Sequence, residues 1–551
     1  MNKKLILVIG VLFSITIQSQ TLKLEEIMKG NTFIGVPPEN ERWSLDGQKV
    51  YFEWNPNNEL GTSTYFWKNG LSKPELASPN DVAFSKLDFK KTSNPDLHYY
   101  IDKGSLFSYA LKSKTSKKLY QQSSPISNLQ MGAVPGILYF RQNENLFQFN
   151  TNEGSVIQIT NFRKGKAEDK PADKESFLKS QQEELFQFIR DQEALKKWNL
   201  AKSKTIKSDF PKPYFYGKNN FGSLKVDPKG NFATFRLIED SERKNEKMEV
   251  FITADGYNQI EDTKAKVSTD NLLASKFGVY DIAKDSVYFV NFSSLSHIQD
   301  VPKYFELYEK SKTTEKKDKL IVVQEPIYNE NGSYAIAEIR SQDNKDRWIV
   351  SLNLKKGTFQ ELDHQHDEAW IGGPGIPSYS FGRGTLGFLG DNETVYFQSE
   401  ETGYSHLYTY NLKSKKKTQL TKGNWEVRNV NLSKDKKSFY LTTTTTHPGN
   451  RDFYKLEVAN AVLQPILTKD GAHEVSLSPD ESTLIVRYSY KNKPWELYVA
   501  PNKKNTNLIQ ITTSTSESFK KYAWREPDVI TFKAQDGIPV NARLYKPQTG
   551  T

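Results

Sequence analysis

A unit of about 45 residues recurs along the chain and restricts its fold more than any other feature. Turns centred on Asp391, Asp435 and Asp480 are each followed by short segments rich in aromatic and β-branched residues. After Asp435, for example, the sequence predicts strands at 438–442 and 452–456. A repeat of this length that is built from short strands is typical of the four-stranded blade of a β-propeller.

Five weaker turns of the same kind lie upstream and bring the predicted number of blades to eight. They are Asp46-Gly47, Asn94-Pro95-Asp96, Pro135-Gly136, Asp227-Pro228-Lys229-Gly230 and Asn331-Gly332. The composition, with 13% aromatic and 36% hydrophobic residues, also favours strands over helices. We therefore predict an all-β chain whose residues 20–528 form an eight-bladed β-propeller.

Two intervals between turns are longer than a blade needs, so we expect an insertion in each. The first covers about 164–202, and its apolar residues recur at helical spacing, which predicts a helix near 175–198 at the rim of the propeller. These residues are Phe177, Leu178, Leu185, Phe186, Phe188, Ile189, Leu195 and Trp198. The second insertion covers about 240–319 and contains a charged run at 309–317.

The first residues have the pattern of a secretory signal peptide. Lys3 and Lys4 precede an almost wholly apolar segment, 5–17, and 17–19 is an acceptable cleavage site. The apolar run of about 13 residues is shorter than the roughly 20 that span a bilayer, although a retained anchor is the alternative interpretation. We expect residues 1–19 to be removed and the mature chain to be periplasmic or secreted, without a membrane attachment.

The last segment, 529–551, reads as a β-hairpin. Ile530 and Phe532 precede a turn at 535–539, and alternating apolar residues follow it at Val540 and Ala542. A two-stranded hairpin is marginally stable alone in water. We therefore predict that it opens a larger domain that this chain lacks.

Four strings then point to a family. They are VYFQSEETGYSHLY at 395–408, SPD at 478–480, PWELY at 494–498 and FKAQDG at 532–537. In this order they resemble the prolyl oligopeptidase family, and among its branches the dipeptidyl peptidase IV enzymes of exported bacterial type. The resemblance implies a propeller that caps a serine peptidase domain and filters substrates by size. It also implies that 529–551 is the first hairpin of an absent α/β-hydrolase domain, which holds the catalytic serine, aspartate and histidine.

No catalytic residue is predicted within this chain. An α/β-hydrolase nucleophile needs the pattern G-x-S-x-G, and this pattern does not occur. The nearest string, 403–407 around Ser405, has leucine in place of the second glycine and reads as a turn. None of the seven histidines has the required partners. We expect the chain alone to be inactive as a peptidase.

Glu183 and Glu184 are the candidate substrate-binding residues. In the resembled branch, paired glutamates on an inserted helix hold the free amino group of the substrate. Adjacent carboxylates that face a cavity would bind an ammonium ion through charge-assisted hydrogen bonds. The alternative is a solvated helix face, since the surrounding sequence lacks the aromatic pattern of that branch.

Other features predict no metal, cofactor or nucleic acid. His364 and His366 are two residues apart, so on a strand both side chains would lie on one face and could bind the same metal ion. No further metal ligand follows at a fixed spacing, so a polar loop is the favoured interpretation. The glycine-rich string at 370–375 lacks the lysine and the strand-to-helix context of a phosphate loop. The formal charge of +10 comes from lysines spread over turns, which argues against a nucleic-acid partner.

Two functions remain open at this stage. The first is the substrate-gating propeller of an exported serine peptidase, with a peptide substrate in the propeller cavity and the missing hydrolase domain as partners. The second is a non-catalytic propeller that binds a peptide or a glycan or acts as a scaffold.

Overall fold

The computed structural model describes residues 22–166, 190–199, 210–240, 245–264, 273–307, 316–379 and 382–547. Seven sheets of four strands and one of five follow one another along the chain, and each uses strands that are neighbours in sequence or separated by one insertion. The fold is an eight-bladed β-propeller, which confirms the fold class predicted from the repeats.

The first four blades lie between residues 36 and 289. Blade 1 comprises β1 (Val36–Trp43), β2 (Lys49–Asn55), β3 (Ser63–Lys68) and β4 (Glu75–Leu76). Blade 2 comprises β5 (Lys90–Lys91), β6 (Leu97–Asp102), β7 (Ser105–Ala110) and β8 (Thr115–Tyr120). Blade 3 comprises β9 (Ile126–Met131), β10 (Ile137–Gln142), β11 (Asn145–Asn150) and β12 (Ser155–Gln158). Two short parallel strands, β13 (Phe162–Arg163) and β14 (Tyr214–Phe215), then precede blade 4, which comprises β15 (Asn220–Val226), β16 (Phe232–Ile238), β19 (Ser275–Asp281) and β20 (Ser286–Phe289).

The other four blades complete the propeller. In blade 5 the first strand is broken into β21 (Ile321–Val323) and β22 (Ile327–Tyr328), and β23 (Ala335–Ser341), β24 (Asp346–Asn353) and β25 (Thr358–His366) follow. Blade 6 comprises β26 (Leu386–Phe388), β27 (Thr394–Ser399), β28 (His406–Asn411) and β29 (Lys416–Gln419). Blade 7 comprises β30 (Val427–Leu432), β31 (Ser438–Thr443), β32 (Asp452–Glu457) and β33 (Val462–Leu467). Blade 8 comprises β34 (Ala472–Leu477), β35 (Thr483–Tyr490), β36 (Lys493–Pro501) and β37 (Ile509–Gln510).

All eight predicted turns occupy the same place, between the first and second strands of a blade. In five of these turns an aspartate accepts hydrogen bonds from the backbone that follows it. Asp391 Oδ1 accepts from the backbone of Glu393 and Thr394 at 3.0 and 2.8 Å, and Asp480 Oδ1 accepts from Ser482 N at 3.1 Å. A short side chain that pairs with its own backbone two or three residues later favours a turn over a continued strand.

Among the residues that the structure describes, the helices are few. They are α1 (Leu24–Ile27), α2 (Asn31–Ile34), α3 (Pro79–Ser85), α4 (190–199) and α5 (Glu517–Lys520), with a 3-10 turn at Lys303–Leu307. The helix α4 lies inside the predicted first insertion, where Leu195 and Trp198 are half exposed or more. Within the described ranges, no helix is both long and apolar enough to cross a membrane.

The segment 240–319 does more than extend a loop. Its strands β19 and β20 complete blade 4, because β19 pairs along its whole length with β16. The residues that are added to the blade begin after β16 and include the separate hairpin of β17 (Lys247–Val250) and β18 (Gln259–Asp262). The repeats do not reveal this division because β16 and β19 are not contiguous in sequence.

The chain forms two compact units, and the boundary between them runs through blade 7. The first unit comprises Met1–Lys86, Tyr440–Leu456 and Leu463–Thr551, and the second comprises Leu87–Phe439 and Glu457–Val462. In the second unit, apolar side chains pack between the faces of successive blades, as where Phe277 and Val279 of blade 4 meet Trp348 and Val350 of blade 5. Burial of these apolar faces is the main contribution that stabilises the packing of one blade on the next.

In the first unit the first and last blades pack against each other. Phe52 belongs to one buried cluster with Ile485 and Leu497, and Trp43 Nε1 donates to Ser476 O at 3.4 Å. Because these blades come from opposite ends of the propeller sequence, this contact closes it.

A second contact in the first unit ties α2 to α5. Phe33 is buried against the rings of Phe519, Tyr522 and Trp524, with centroid distances of 5.7 to 6.3 Å. Ser516 N donates to Ile34 O at 2.9 Å. The strands β38 (Asp528–Lys533) and β39 (Pro539–Leu544) then form the antiparallel hairpin expected at the end of the chain. Its assignment to a hydrolase domain stays a prediction.

Candidate functional site

Glu183 and Glu184, the candidate substrate-binding residues, lie outside the described residues. A polar group of side chains within the second unit lies at one end of blades 5 and 6. It combines a buried ionic network, a glycine-rich loop and a half-buried glutamate, all close to the string 395–408 on which the family resemblance rests.

The ionic network begins with three side chains that have no solvent exposure. Glu338 and Arg340 lie two residues apart on β23, so both side chains leave the same face of the strand. Arg347 lies on β24, directly opposite Arg340. Arg347 Nη2 donates to Glu338 Oε2 at 3.0 Å, while Arg340 Nη1 lies 3.7 Å from Glu338 Oε1. Burial lowers the pKa of Arg340, and the charge of Glu338 opposes that shift.

The two arginines hold the loop 367–385, which joins β25 to β26. Arg340 donates to Pro377 O at 2.8 Å and to Ile371 O at 3.0 Å. Near the other end of the loop, Glu338 Oε2 accepts from Gly384 N at 2.8 Å. A Cβ at Gly384 would lie 2.7 Å from Arg347 Nη2, so a larger residue would displace the network. The glycine-rich string predicted as a tight loop is thus fixed by buried charges.

Ser405, which lies in the string nearest to a nucleophile pattern, also contacts the loop 367–385. It is fully buried, and its hydroxyl donates to Pro374 O at 2.7 Å. Gln398 Nε2 donates to Ser405 Oγ at 3.0 Å and to Val427 O at 2.6 Å. The neighbouring His406 directs its ring nitrogens at Thr421 Oγ1 and Gly423 O instead of at Ser405. The hydroxyl therefore has the contacts of a structural group.

The outer side of the loop presents two aromatic rings. Trp370 is 49% exposed and Tyr379 is 72% exposed, and their ring centroids lie 6.3 Å apart in an edge-to-face arrangement. Trp370 Nε1 donates to Ser378 O at 2.6 Å, which fixes the indole on the loop. Exposed rings on a rigid loop offer a contact surface for an apolar or cationic group.

Glu400 follows β27 and reaches the same loop. A Cβ at Gly373 would lie 2.1 Å from Glu400 Oε1, so the carboxylate occupies space that only glycine leaves open. Burial raises the pKa of Glu400, and the charges of Glu426 and Asp367 raise it further. Within the part of the chain that the structure describes, no group donates a hydrogen bond to this carboxylate. A carboxylate with surplus negative charge around it suits an ammonium ligand.

The two histidines that suggested a metal converge on one buried carboxylate. His364 Nε2 and His366 Nδ1 lie 3.0 and 2.8 Å from Asp346 Oδ1, and Lys319 also donates to Asp346. Burial alone would raise the pKa of Asp346, but the hydrogen bonds from His364, Lys319 and His366 lower it to about 2. Among the described residues, no group of three or more ligand side chains is arranged to hold a metal ion.

The sequence analysis missed Glu338, Arg340, Arg347 and Glu400. A usable signal existed for Glu338 and Arg340. The strand AIAEIRS at 335–341 has apolar residues on both faces, which indicates a strand buried on both sides, and charged residues on such a strand must be paired. For Glu400 the sequence offers only its place in the string SEETGY, which does not reveal a cluster with Glu426.

Comparison with known proteins agrees with this fold and this region. Residues 311–495 match the family model described as the dipeptidyl peptidase IV (DPP IV) N-terminal region. Dipeptidyl peptidase 4 of Trichophyton rubrum is 29% identical over 234 residues, which are 41% of this chain and 29% of that protein. Dipeptidyl peptidase 4 of Arthroderma otae is 31% identical over 205 residues, which are 36% of this chain and 26% of that protein. The matched part thus spans less than a third of each relative.

Two solved structures share the fold over nearly the whole chain. Porphyromonas gingivalis dipeptidyl peptidase 4 has a TM-score of 0.57 at 13% identity and covers 96% of this chain and 67% of its own. A putative dipeptidyl aminopeptidase IV from Bacteroides ovatus has a TM-score of 0.53 at 15% identity and covers 92% of this chain and 64% of its own. The chain therefore carries a propeller portion like that of dipeptidyl peptidase IV, and the family resemblance predicted from the sequence is confirmed for the propeller.

Proposed function

We propose that this chain is the substrate-gating propeller portion of an exported serine peptidase of the dipeptidyl peptidase IV type. The match of 311–495 to the N-terminal region of that family carries the proposal. The matched residues include the buried network, the loop 367–385 and Glu400, so the proposed site lies within the segment that supports the relationship. The catalytic serine, aspartate and histidine would belong to a hydrolase domain beyond 551.

The site at blades 5 and 6 suits the free amino end of a peptide. Glu400 offers a carboxylate that accepts no hydrogen bond from the described residues and lies in a field made more negative by Glu426 and Asp367. An ammonium group would relieve that repulsion and form a charge-assisted hydrogen bond. Trp370 and Tyr379 provide aromatic surface on the same loop for an adjoining side chain. Glu183 and Glu184 remain the second proposed anchor for the same group.

Gating follows from the place of the propeller in such an enzyme. A peptide would reach the hydrolase domain through the propeller cavity, so that only small or unfolded substrates pass. Export rests on the signal peptide pattern of residues 1–19. The mature protein would then meet its peptides in the periplasm or outside the cell.

The decisive experiment extends the reading frame past 551 in the source gene. We expect a G-x-S-x-G segment to follow. The extended protein should release the dipeptide from glycyl-prolyl-p-nitroanilide. It should also cleave short peptides but not a folded protein that contains the same peptide sequence. A stop codon at 551, or an extended protein without peptidase activity, would instead favour the non-catalytic binding propeller. Cell fractionation with and without residues 1–20 tests export separately.

A further inference from the structure

A cavity lies in the first unit, where the hairpin of β38 and β39 faces the turns of blades 7 and 8. Its volume is about 500 Å³, which is within the range of small-molecule sites. The turn between β31 and β32, the residues just before β34, the β35–β36 turn and one face of the hairpin form its walls. None of these residues belongs to the site at blades 5 and 6.

The charged residues of this cavity are all cationic. Lys491 and Arg543 line it, and no aspartate or glutamate is among its lining residues. The ammonium group of Lys491 has a partner, Glu526, at 3.3 Å. Arg543 has no ion pair within the described residues. Its side chain leaves the same face of β39 as that of Asn541, two residues earlier, and both line the cavity.

His447 adds a directed donor. Its Nδ1 accepts a hydrogen bond from Gly449 N at 3.0 Å, so the neutral ring carries its proton on Nε2. Nε2 is shielded from solvent and has no hydrogen-bond partner within the described part of the chain. A buried N–H without an acceptor costs free energy. An acceptor atom from a ligand in this cavity would satisfy it once the imidazole turns to expose Nε2.

Two aromatic rings line another part of the cavity, whose walls also include the polar residues Asn450, Ser489 and Asn541. Trp495 and Tyr490 line the cavity, and the guanidinium of Arg487 lies 5.2 Å from the centre of the Trp495 ring. At Gly471, with φ of +127°, a Cβ would lie 2.6 Å from Ser489 O. The two segments therefore approach too closely for any side chain at 471, and both segments line the cavity.

We propose that this cavity binds a small organic carboxylate with an aromatic or apolar body. Arg543 and the Nε2–H of His447 would donate to the carboxylate, since a guanidinium and a carboxylate have matching geometry. Trp495 and Tyr490 would contact the apolar part. This site is additional to the proposed peptidase function and does not depend on it.

The test uses isothermal titration calorimetry on the mature chain with N-acetyl-phenylalanine and its uncharged amide. We expect saturable binding of the acid and at least about tenfold weaker binding of the amide, because only the acid forms charge-assisted hydrogen bonds. Arg543→Gln should weaken binding of the acid by about tenfold or more, and His447→Ala by a smaller factor. Arg428→Gln, which removes an exposed arginine outside the cavity, is the control for nonspecific attraction to a chain of net charge +10.

Three results would overturn the proposal. They are equal affinities for the acid and the amide, equal losses in Arg543→Gln and Arg428→Gln, and no saturable binding of the acid. The peptide Ala-Ala-Phe, free or amidated at its carboxyl end, separates two sources of the carboxylate. Binding of only the free peptide, with loss in Arg543→Gln, would assign the site to the end of a peptide chain, whereas binding of the small acid alone would assign it to a metabolite. Arg543 is exposed on the hairpin, so an unchanged melting temperature should verify that the variant folds.

Discussion

Arg340 and Arg347 lie directly opposite each other on β23 and β24, and neither side chain has any exposure to solvent. Like charges in this position on neighbouring strands repel. Glu338 lies between them and is itself fully buried, so one carboxylate supports two guanidinium groups. The Arg340 guanidinium, held in place by Glu338, donates hydrogen bonds to Ile371 O and Pro377 O and thereby fixes the position of a surface loop.

Replacing Glu338 with glutamine should strongly destabilise the second unit. The change leaves two buried guanidinium groups without a counter-charge, and breaking a buried ion pair typically costs about 3–5 kcal/mol. Equilibrium unfolding in urea, followed by far-UV circular dichroism, measures this loss. Quenching of the Trp370 fluorescence by iodide should also increase, because the loop loses the hydrogen bonds that hold it.

Glu325→Gln is the matched control for that experiment. Glu325 pairs with Lys225 at 3.0 Å, but its side chain is 37% exposed. A partly exposed pair of this kind is worth about 0–1 kcal/mol. Similar losses in the two variants would contradict the assignment of a special role to Glu338.

Asp346 should make the protein sensitive to acid. Its pKa in the folded state is about 2, whereas an aspartate in an unfolded chain titrates near 4. The unfolded state therefore binds the proton first as pH falls, and the stabilisation by Asp346 is fully present above about pH 4 and is lost between about pH 4 and pH 2. Melting temperatures from pH 7 to pH 2 should show a steeper acid limb for the wild type than for Asp346→Asn. Parallel limbs would contradict this account.

The sequence predicted the propeller because its most regular feature is local. Each turn such as Asp391 or Asp480 pairs its carboxylate with backbone two or three residues away, and this chemistry is visible in any short window of sequence. The division of blade 4 was missed for the opposite reason. The strand β19 pairs with β16 across an insertion, and no local pattern records which distant strand a segment will join.

The candidate site was predictable only in part, because local sequence patterns can be recognised whereas contacts between different strands cannot. The string 395–408 indicated the resemblance to dipeptidyl peptidase IV propellers and contains Glu400. The network of Glu338, Arg340 and Arg347 depends on which face of β23 is buried and on the register between β23 and β24. A shift of register by one residue would separate the charges, and sequence alone does not fix that register.

The contact between α2 and α5 should hold the hairpin segment to the propeller. Phe33 is only 4% exposed and touches three aromatic rings, so Phe33→Ala should cost about 3–5 kcal/mol as an aromatic deletion in a packed site. Limited proteolysis should then cut between 514 and 527 much faster than in the wild type. Phe532→Ala, at a ring that is 50% exposed, is the control and should leave the cleavage rate nearly unchanged.

Ser405 should not act as a nucleophile. Its hydroxyl is buried and donates to Pro374 O, and no histidine accepts from it within the described residues. The chain should therefore be inert towards glycyl-prolyl-p-nitroanilide and should not react with a fluorophosphonate probe, since both require an activated serine. Ser405→Ala should lower stability by about 1–3 kcal/mol through loss of the hydrogen bonds to Gln398 and Pro374. Labelling that disappears in this variant would show that the serine is reactive.

The last prediction separates the two proposed anchors for the substrate's amino group. In the protein extended past 551, Glu400→Gln should lower kcat/KM for peptides with a free amino end by about tenfold or more, because a charge-assisted hydrogen bond is typically worth about 1.5–3 kcal/mol and about 1.4 kcal/mol corresponds to one decade. Peptides with a blocked amino end should be little affected. If Glu183 and Glu184 hold the same group, their double replacement by glutamine should produce the same selective loss.

Glu193→Gln is the matched control, since this glutamate lies exposed on α4 within the same insertion. The pKa of Glu400 is raised, so a loss that depends on its charge should shrink as pH falls and the wild-type carboxyl takes up its proton. A loss that is equal for free and blocked peptides would contradict an anchor at that residue. A selective loss in one variant but not in the other would assign the amino group to the site that the affected variant lacks.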